Sequence, residues 1–324
     1  MKLVRTSLAV IAIVLALTQP SFTEGQNNPS HLIVFGDSLS DTGNDLIATS
    51  EFGLEIPPLR MYYQGRFTNG PVAFEYLWSM LRDAPPFMAP SLALPALPPS
   101  GAVSFAFGGT GSGVQTLTPG GFYAPGFLGQ VEMFGDSLND RPAPRSALYA
   151  VWTGPNDYPA EPFRQFLQPE VVVSNIAIGV TRLYELGARK FLIVNMPEQS
   201  APPDTLARHN QLLRIASNLL ARLPGVEIIQ GDVVGLLPSL VPEFEPAVPL
   251  VDVLVPPAPG AIPNSFCLFI DPTTCPTVPT FAPEQKFLFW DAGHPTTAVH
   301  ERAAERLFEP VRKALKIGGK KQQP

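Results

Sequence analysis

The chain has 324 residues, of which 45% are hydrophobic and only 15% charged, and its formal net charge at pH 7 is −6. An average soluble domain has about 25% charged residues, so this composition predicts a globular protein with a large apolar core and excludes a disordered chain. The acidic balance offers no electrostatic footprint for DNA, RNA or anionic lipid, and we expect no nucleic-acid partner.

The first residues have the pattern of an export signal. Lys2 and Arg5 precede an uncharged apolar run at 8–17, which is too short to cross a bilayer comfortably, and polar residues follow. We therefore predict a signal peptide over residues 1–23 and a single domain over 24–324, which is secreted or, in a bacterium, periplasmic. An uncleaved N-terminal anchor is the alternative interpretation.

Short apolar strands alternate with amphipathic helices along the rest of the chain, which is typical of one α/β domain with a parallel sheet. The predicted strands are 32–35, 103–107, 147–152, 190–195, 226–230 and 287–290. The predicted helices are 71–81, 128–138, 170–186, 205–223 and 296–317. Many of the 38 prolines lie in two stretches, 84–100 and 238–283, where we expect loops without regular structure.

Two segments carry the letters Gly-Asp-Ser-Leu, and only one of them follows a predicted strand. Ser38 comes directly after the first strand and a glycine that permits a sharp turn. It is therefore expected at the carboxyl edge of the sheet, where parallel sheets bind ligands. Ser137 ends an amphipathic stretch and is expected to point away from any sheet edge. Ser38 is the candidate nucleophile, although a turn-forming serine has the same local pattern, because activation also needs a base and oxyanion donors.

The last predicted strand leads into Asp291 and His294, three residues apart. On a tight turn the carboxylate can accept from one imidazole nitrogen, so that the other nitrogen faces a nucleophile. A surface histidine is the plainer interpretation of His294 taken alone.

Two further strands lead into candidate oxyanion donors. Asn156 follows strand 147–152, and its amide is a neutral donor suited to a developing oxyanion, whereas a turn-forming asparagine is the alternative. Gly108 and Gly109 follow strand 103–107, and glycine N–H groups can approach a site without steric hindrance. The glycines fit neither the GxxxxGK[ST] nor the GxGxxG pattern, so a nucleotide loop is not predicted.

Cys267 and Cys275 are the only cysteines of the chain. Their spacing fits no zinc or redox motif, and in an exported protein two nearby cysteines favour a disulfide. We predict a bridge that closes a small loop and takes no part in chemistry.

The segments 35–44, 107–109, 154–157 and 291–296, in this order, resemble the SGNH (GDSL-type) hydrolase family of lipases and esterases. The resemblance spans nearly the whole chain after the signal, and segment 65–71 is similar to a further segment of one subgroup, without a role that the sequence explains. It implies a three-layer α/β/α fold with a five-stranded parallel sheet, and neither a metal nor an organic cofactor.

The same resemblance assigns roles to individual residues. It implies Ser38 as nucleophile, Asp291 and His294 as acid and base, and an oxyanion hole formed by the Ser38 and Gly108 N–H groups and the Asn156 amide. The two neighbouring glycines leave the backbone donor open between Gly108 and Gly109. The expected reaction is hydrolysis of small-molecule or lipid carboxylic esters. Acyl transfer by the same residues, or a secreted binding or effector protein on this fold, stays open as an alternative.

Overall fold

A computed structural model describes residues 28–118, 121–158, 166–245, 248–278 and 286–317. The predicted signal peptide at 1–23 lies outside these residues. The strands are β1 (His31–Gly36), β2 (Ala89–Pro90), β3 (Gly101–Ser104), β4 (Gln115–Leu117), β5 (Tyr123–Pro125), β6 (Leu148–Trp152), β7 (Lys190–Val194) and β8 (Glu227–Gly231). The helices are α1 (Asn44–Ser50), α2 (Ala73–Arg82), α3 (Phe127–Ser137), α4 (Pro169–Leu186), α5 (Pro203–Leu220), α6 (Leu236–Leu240), α7 (Leu250–Leu254), α8 (Cys267–Ile270) and α9 (Thr297–Ala314).

The main sheet has six parallel strands in the order β2-β3-β1-β6-β7-β8. The expectation of five strands is therefore wrong by one. The additional strand, β2, is two residues long and lies at the edge of the sheet inside the first proline-rich stretch. Proline has no N–H to donate and is tolerated at a sheet edge, and a strand this short shows no hydrophobic period.

The α/β/α arrangement is confirmed by how β1 divides its side chains between two cores. Leu32 and Val34 pack into one cluster with residues of α2 and α9, whereas Ile33 and Phe35 pack into a second cluster with residues of α3, α4 and α5. Alternate strand residues point to opposite faces, so a strand that is buried on both sides places helices on each. This makes β1 a central, covered strand.

The predicted strand 287–290 is wrong. Residues 287–290 form only isolated bridges, Glu245 with Phe287 and Phe289 with Pro295, and do not join the main sheet. Leu288 and Trp290 are nevertheless buried, in two different clusters. The alternation of buried and less buried residues here reflects packing between a loop and its neighbours, which has the same period as a half-buried strand.

The proline-rich stretch 238–283 also contains more regular structure than expected. It holds the helix α7, the helix α8 and a short 3-10 turn at Asn264–Phe266, and α6 extends into it. Pro249 and Pro263 stand directly before the first residue of a short helix, where the proline ring costs no helical hydrogen bond.

Cys267 and Cys275 are joined by a disulfide in this region. No helix in the described parts of the chain is long and apolar enough to span a bilayer.

Candidate active site

Ser38 lies in a tight turn at the carboxyl end of β1. The N–H groups of Ser40 and Asp41 both donate to the Asp37 carbonyl, at 2.9 and 3.0 Å, and the Leu39 N–H donates to the Asp37 carboxylate at 3.0 Å. Gly36 precedes the turn because a Cβ at this position would collide with the Trp152 carbonyl of the neighbouring strand β6. The main chain itself therefore presents Ser38 at the sheet edge.

A buried glutamine of α3 fixes the strand end before Ser38. Gln130 Oε1 accepts the Gly36 N–H at 2.9 Å, while its Nε2 donates to the Gly36 and Pro125 carbonyls at 2.8 and 2.9 Å. Gln130 is fully buried, so these bonds satisfy main-chain groups that water does not reach. Sequence reasoning missed this contact; the one signal for it is a single amide within an apolar helix face.

Asp291 and His294 lie side by side in the turn that precedes α9. His294 Nδ1 is 2.8 Å from Asp291 Oδ2 and 2.9 Å from Oδ1. Asp291 Oδ1 also accepts the N–H groups of Gly293 and His294, at 2.8 and 2.7 Å. With side chains exposed by only 0% for Asp291 and 8% for His294, the pair is shielded from water. This arrangement engages Nδ1 and leaves Nε2 for another partner.

Aromatic side chains contact the Asp291–His294 pair. The His294 ring contacts that of Phe67, at a centroid distance of 5.3 Å, and that of Phe269 in α8, which is nearly parallel to it at 5.9 Å. The Tyr62 hydroxyl donates to Asp291 Oδ2 at 2.6 Å. Sequence reasoning found none of these neighbours. Tyr62, for example, lies 229 positions before Asp291 in the chain.

The segment 65–71 fastens this turn to the rest of the protein. Thr68 Oγ1 donates to the Pro295 carbonyl at 2.8 Å, and Asn69 Oδ1 accepts the Thr297 N–H at the first residue of α9, at 2.9 Å. Arg66 and Glu75 form a buried ion pair at 2.7 Å, and Glu75 also accepts the Val72 N–H at the start of α2. The motif that the sequence left without a role is thus a brace between α2 and the acid–base turn.

The candidate oxyanion donors line a cavity together with Ser38 and His294. Asn156 lies in a 3-10 turn after β6, and its Nδ2 donates to the Thr110 carbonyl at 3.1 Å. The Gly108 N–H donates to the Asp41 carboxylate at 3.2 Å, so it is already engaged by a buried acid. Gly109 adopts a φ of +69°, a backbone conformation that favours glycine.

Buried ionisable groups surround Ser38. Burial raises the pKa of Asp37 to about 7 and, against four main-chain N–H donors, that of Asp41 to about 6. Burial and the charge of Asp41 raise the pKa of Asp45 well above its ordinary range. Burial, with a smaller contribution from His294, lowers the pKa of His300 to about 3, so this histidine is neutral. Negative charge beside Ser38 is therefore low in mildly acidic solution.

Ser38, Asn156 and His294 open together onto two cavities. The larger, about 420 Å³, has an apolar wall made of Val233, Leu236, Leu237, Val299 and Ala303. The smaller, about 60 Å³, is lined by both candidate glycines and by apolar side chains, which are Ile56, Phe67, Phe122, Leu268 and Phe269.

Within the described residues, no hydrogen bond joins Ser38 to His294, a contact that often tightens only when substrate binds. The described residues contain no group of three or more His, Cys, Asp or Glu arranged to hold a metal.

Comparisons with known proteins find one family model, related sequences and structurally similar chains. The sequence model of the GDSL-like lipase/acylhydrolase family matches residues 32–307. A GDSL esterase/lipase of Arabidopsis thaliana is 25% identical over 88% of this chain and 88% of that protein. A phosphatidylcholine-sterol acyltransferase of Aeromonas hydrophila is 26% identical over 66% of this chain and 56% of its own length. The crystal structure of TesA aligns at a TM-score of 0.39 and 15% identity, over 88% of this chain and 99% of that one.

Proposed function

Because the chain belongs to the GDSL-like lipase/acylhydrolase family, we propose that it is a serine esterase or lipase that hydrolyses carboxylic esters. The observation that carries the proposal is the hydrogen-bonded pair Asp291–His294, which opens onto the same two cavities as Ser38 and Asn156. Acid, base, nucleophile and a neutral donor are the parts that acyl transfer through a serine requires.

In the proposed reaction, Ser38 Oγ attacks the ester carbonyl carbon while His294 Nε2 takes the hydroxyl proton. The resulting imidazolium is stabilised by Asp291, whose carboxylate accepts the hydrogen bond from His294 Nδ1–H. His294 then gives the proton to the leaving alcohol oxygen as the C–O bond breaks, which leaves an acyl group on Ser38. Water, deprotonated by His294, attacks this acyl-enzyme, and the carboxylic acid leaves as Ser38 recovers its proton.

The proposed oxyanion hole combines the Ser38 N–H, the Asn156 amide and one glycine N–H. Gly108 has to release the Asp41 carboxylate before it can serve, whereas no such rearrangement is needed for Gly109, which lines the small cavity beside Ser38. Donors that are held in place before the reaction stabilise the oxyanion without reorganisation. Gly109 is therefore the simpler choice of the two.

The cavities support ester substrates with one short and one long side. A cavity of about 60 Å³ holds only a small group, whereas the cleft of about 420 Å³ has room and apolar walls for a longer one. The substrate class is a small-molecule or lipid ester. Initial rates over series of p-nitrophenyl esters, and of acetates of alcohols of increasing length, will show which side of the ester is restricted.

The decisive test compares two serines in the same four-letter context. We expect Ser38→Ala to lower kcat by about a million-fold, the usual cost of losing a catalytic serine. Ser137→Ala is the matched control, because its hydroxyl donates within α3 to the Phe134 carbonyl at 2.7 Å and lines neither cavity. Loss of activity in the Ser137 variant alone would refute the assignment. A wild-type protein without esterase activity would favour the binding or effector alternative.

Acyl transfer is the second candidate, favoured by the similarity to the Aeromonas acyltransferase. It differs from hydrolysis only in the last step, where an alcohol replaces water as the acceptor. Product analysis with an added alcohol distinguishes the two reactions. An ester of the added alcohol as main product, formed in dilute alcohol, would identify a transferase.

We also propose that the protein is exported, with residues 1–23 removed and residues 24–324 forming one domain. The charged start and short apolar run of the sequence, together with the Cys267–Cys275 disulfide, support this. N-terminal sequencing of the protein from the culture medium or periplasm tests it. A chain that keeps Met1 and stays in the cell would contradict export.

A further inference from the structure

The hydroxyl of Tyr62 contacts the acid of the acid–base pair. It donates to Asp291 Oδ2 at 2.6 Å, and the same oxygen lies 2.8 Å from His294 Nδ1. The other oxygen of Asp291 is held by main-chain N–H groups of its own turn. Tyr62 and Asp291 are 2% and 0% exposed, so bulk water does not compete for the phenol–carboxylate bond.

The phenol holds the carboxylate oxygen to which the main chain of the turn does not donate. The turn engages Oδ1 through its N–H groups, whereas Tyr62 engages Oδ2, so both ends of the carboxylate are fixed. Burial, followed by the Asp291 charge and the hydrogen bond to it, raises the pKa of Tyr62 well above its ordinary value. The hydroxyl is therefore a donor throughout the range in which esterases work.

We propose that Tyr62 is a positioning residue for the reaction at Ser38, an inference that rests on the proposed esterase function. Its hydroxyl keeps Asp291 Oδ2 in the plane of the His294 ring, so that Nδ1–H stays engaged and Nε2 faces the nucleophile. Tyr62 lines neither cavity that contains Ser38, so it acts through Asp291 and not on the substrate. Its loss therefore affects turnover and leaves substrate affinity nearly unchanged.

Tyr62→Phe tests this role because the ring and its packing against Phe67, at a centroid distance of 6.3 Å, are kept. We expect kcat to fall about ten-fold or more, as for a lost hydrogen bond to a charged group, with KM little changed. The acidic limb of the kcat/KM–pH profile should move to higher pH, because a carboxylate that has lost a donor favours the imidazolium more strongly. The other titratable groups coupled to His294, Asp37 and His300, are the same in both proteins.

Tyr149→Phe is the matched control. Tyr149 is fully buried in β6, and its hydroxyl donates to the Pro144 carbonyl at 3.0 Å, away from the site. This variant also loses one buried phenol, so it should show a similar change in melting temperature but keep the wild-type kcat and pH profile. In the Asp291→Asn background, Tyr62→Phe should cost no further activity, because it acts through that acid.

A second measurement does not depend on hydrolysis. The His294 Nδ1–H proton resonance, assigned by its absence from His294→Ala, should shift in Tyr62→Phe and stay in place in Tyr149→Phe. If the wild-type protein has no esterase activity and the resonance still shifts in Tyr62→Phe, the proposed function is refuted. The positioning of Asp291 and His294 by Tyr62 is then kept. Wild-type kcat, pH profile and resonance in Tyr62→Phe would overturn the inference. A Tyr62→Phe chain that fails to fold while Tyr149→Phe folds would also overturn it, because the hydroxyl would then serve the fold.

Discussion

The two halves of the candidate site are built in different ways. The nucleophile half consists of Ser38, the glycines and Asn156, which follow the parallel strands β1, β3 and β6. The acid–base half consists of Asp291 and His294, in a loop that pairs with no strand of the main sheet. Main-chain hydrogen bonds of the sheet, with the side chain of Gln130, position the first half. The second half has its own turn hydrogen bonds and depends in addition on side chains from several distant segments.

This difference predicts different sensitivity to substitution. A strand end is fixed by many main-chain bonds at once, so the nucleophile half should tolerate changes in neighbouring side chains. The acid–base turn has contacts from Tyr62, Phe67, Thr68 and Phe269, each of which a single substitution removes. Among residues that take no part in the chemistry, those that contact the acid–base turn should therefore affect catalysis more than those beside Ser38.

After the loss of Ser38 itself, the largest expected effect tests whether the acid–base half acts as one unit. Asp291→Asn should lower kcat about ten-thousand-fold, because the amide holds the wrong imidazole tautomer. His294→Ala should be as damaging or worse, and the double variant no worse than His294→Ala alone. The measurement is kcat/KM with a soluble short-chain ester, with Asp271→Asn, an exposed acid, as control. Additive losses would show that the two residues do not form one device.

Asn156→Ala tests the other half and should have the next largest effect. We expect kcat to fall about a hundred- to a thousand-fold, the usual cost of one lost oxyanion donor. KM should change less, because the interaction forms mainly in the transition state. Asn218→Ala, on the exposed face of α5, is the control. Normal turnover with a much higher KM would assign Asn156 to substrate binding instead.

The disulfide variant Cys267→Ser/Cys275→Ser probes the support of the acid–base half. The bridge begins at the first residue of α8, which carries Phe269 against His294. Removal of a bridge that closes so short a loop should lower the free energy of unfolding by about 2–3 kcal/mol. We expect kcat to be largely kept. Urea unfolding measures the loss of stability, and initial rates on the same protein measure kcat. A large loss of kcat in the folded variant would mean that catalysis depends on the position of α8 and its Phe269.

The last prediction concerns the pH dependence of stability and the buried acid beside Ser38. Because burial raises the pKa of Asp37 from 3.8 to about 7, the folded protein holds this proton over a range in which the unfolded chain has lost it. The contribution of Asp37 to stability is thus present at low pH and is lost as pH rises from about 3.8 to about 7. Asp37→Asn lacks this loss and should gain stability relative to wild type over that range.

Unfolding by urea at several pH values measures this difference. The free-energy difference between Asp37→Asn and wild type should rise toward about pH 7 and then level off. Asp37 Oδ1 accepts the Leu39 N–H, and the asparagine carbonyl can accept the same bond, so the turn is preserved. A difference that does not vary with pH would mean that Asp37 is ionised in the folded protein throughout the range.

Sequence patterns were sufficient where the physical cause is local. Five predicted strands correspond to β1, β3, β6, β7 and β8, because buried strands are short apolar runs between turn residues. Asp291 and His294 are close in space because they are three positions apart in a turn. The segment 287–290 misled the same reasoning, since a packed loop and a strand share one alternation of buried residues.

The amino-acid sequence by itself determined the parallel α/β core and the turn that presents Ser38, because hydrophobic periodicity and the turn preference of glycine act over a few residues. Only the tertiary structure decided which distant residues support the acid–base turn and the strand end before Ser38. Tyr62 meets Asp291 across 229 positions, and Gln130 meets Gly36 across 94. Hydrogen bonds between residues so far apart depend on how the elements pack in three dimensions, and no local pattern of residues encodes that packing.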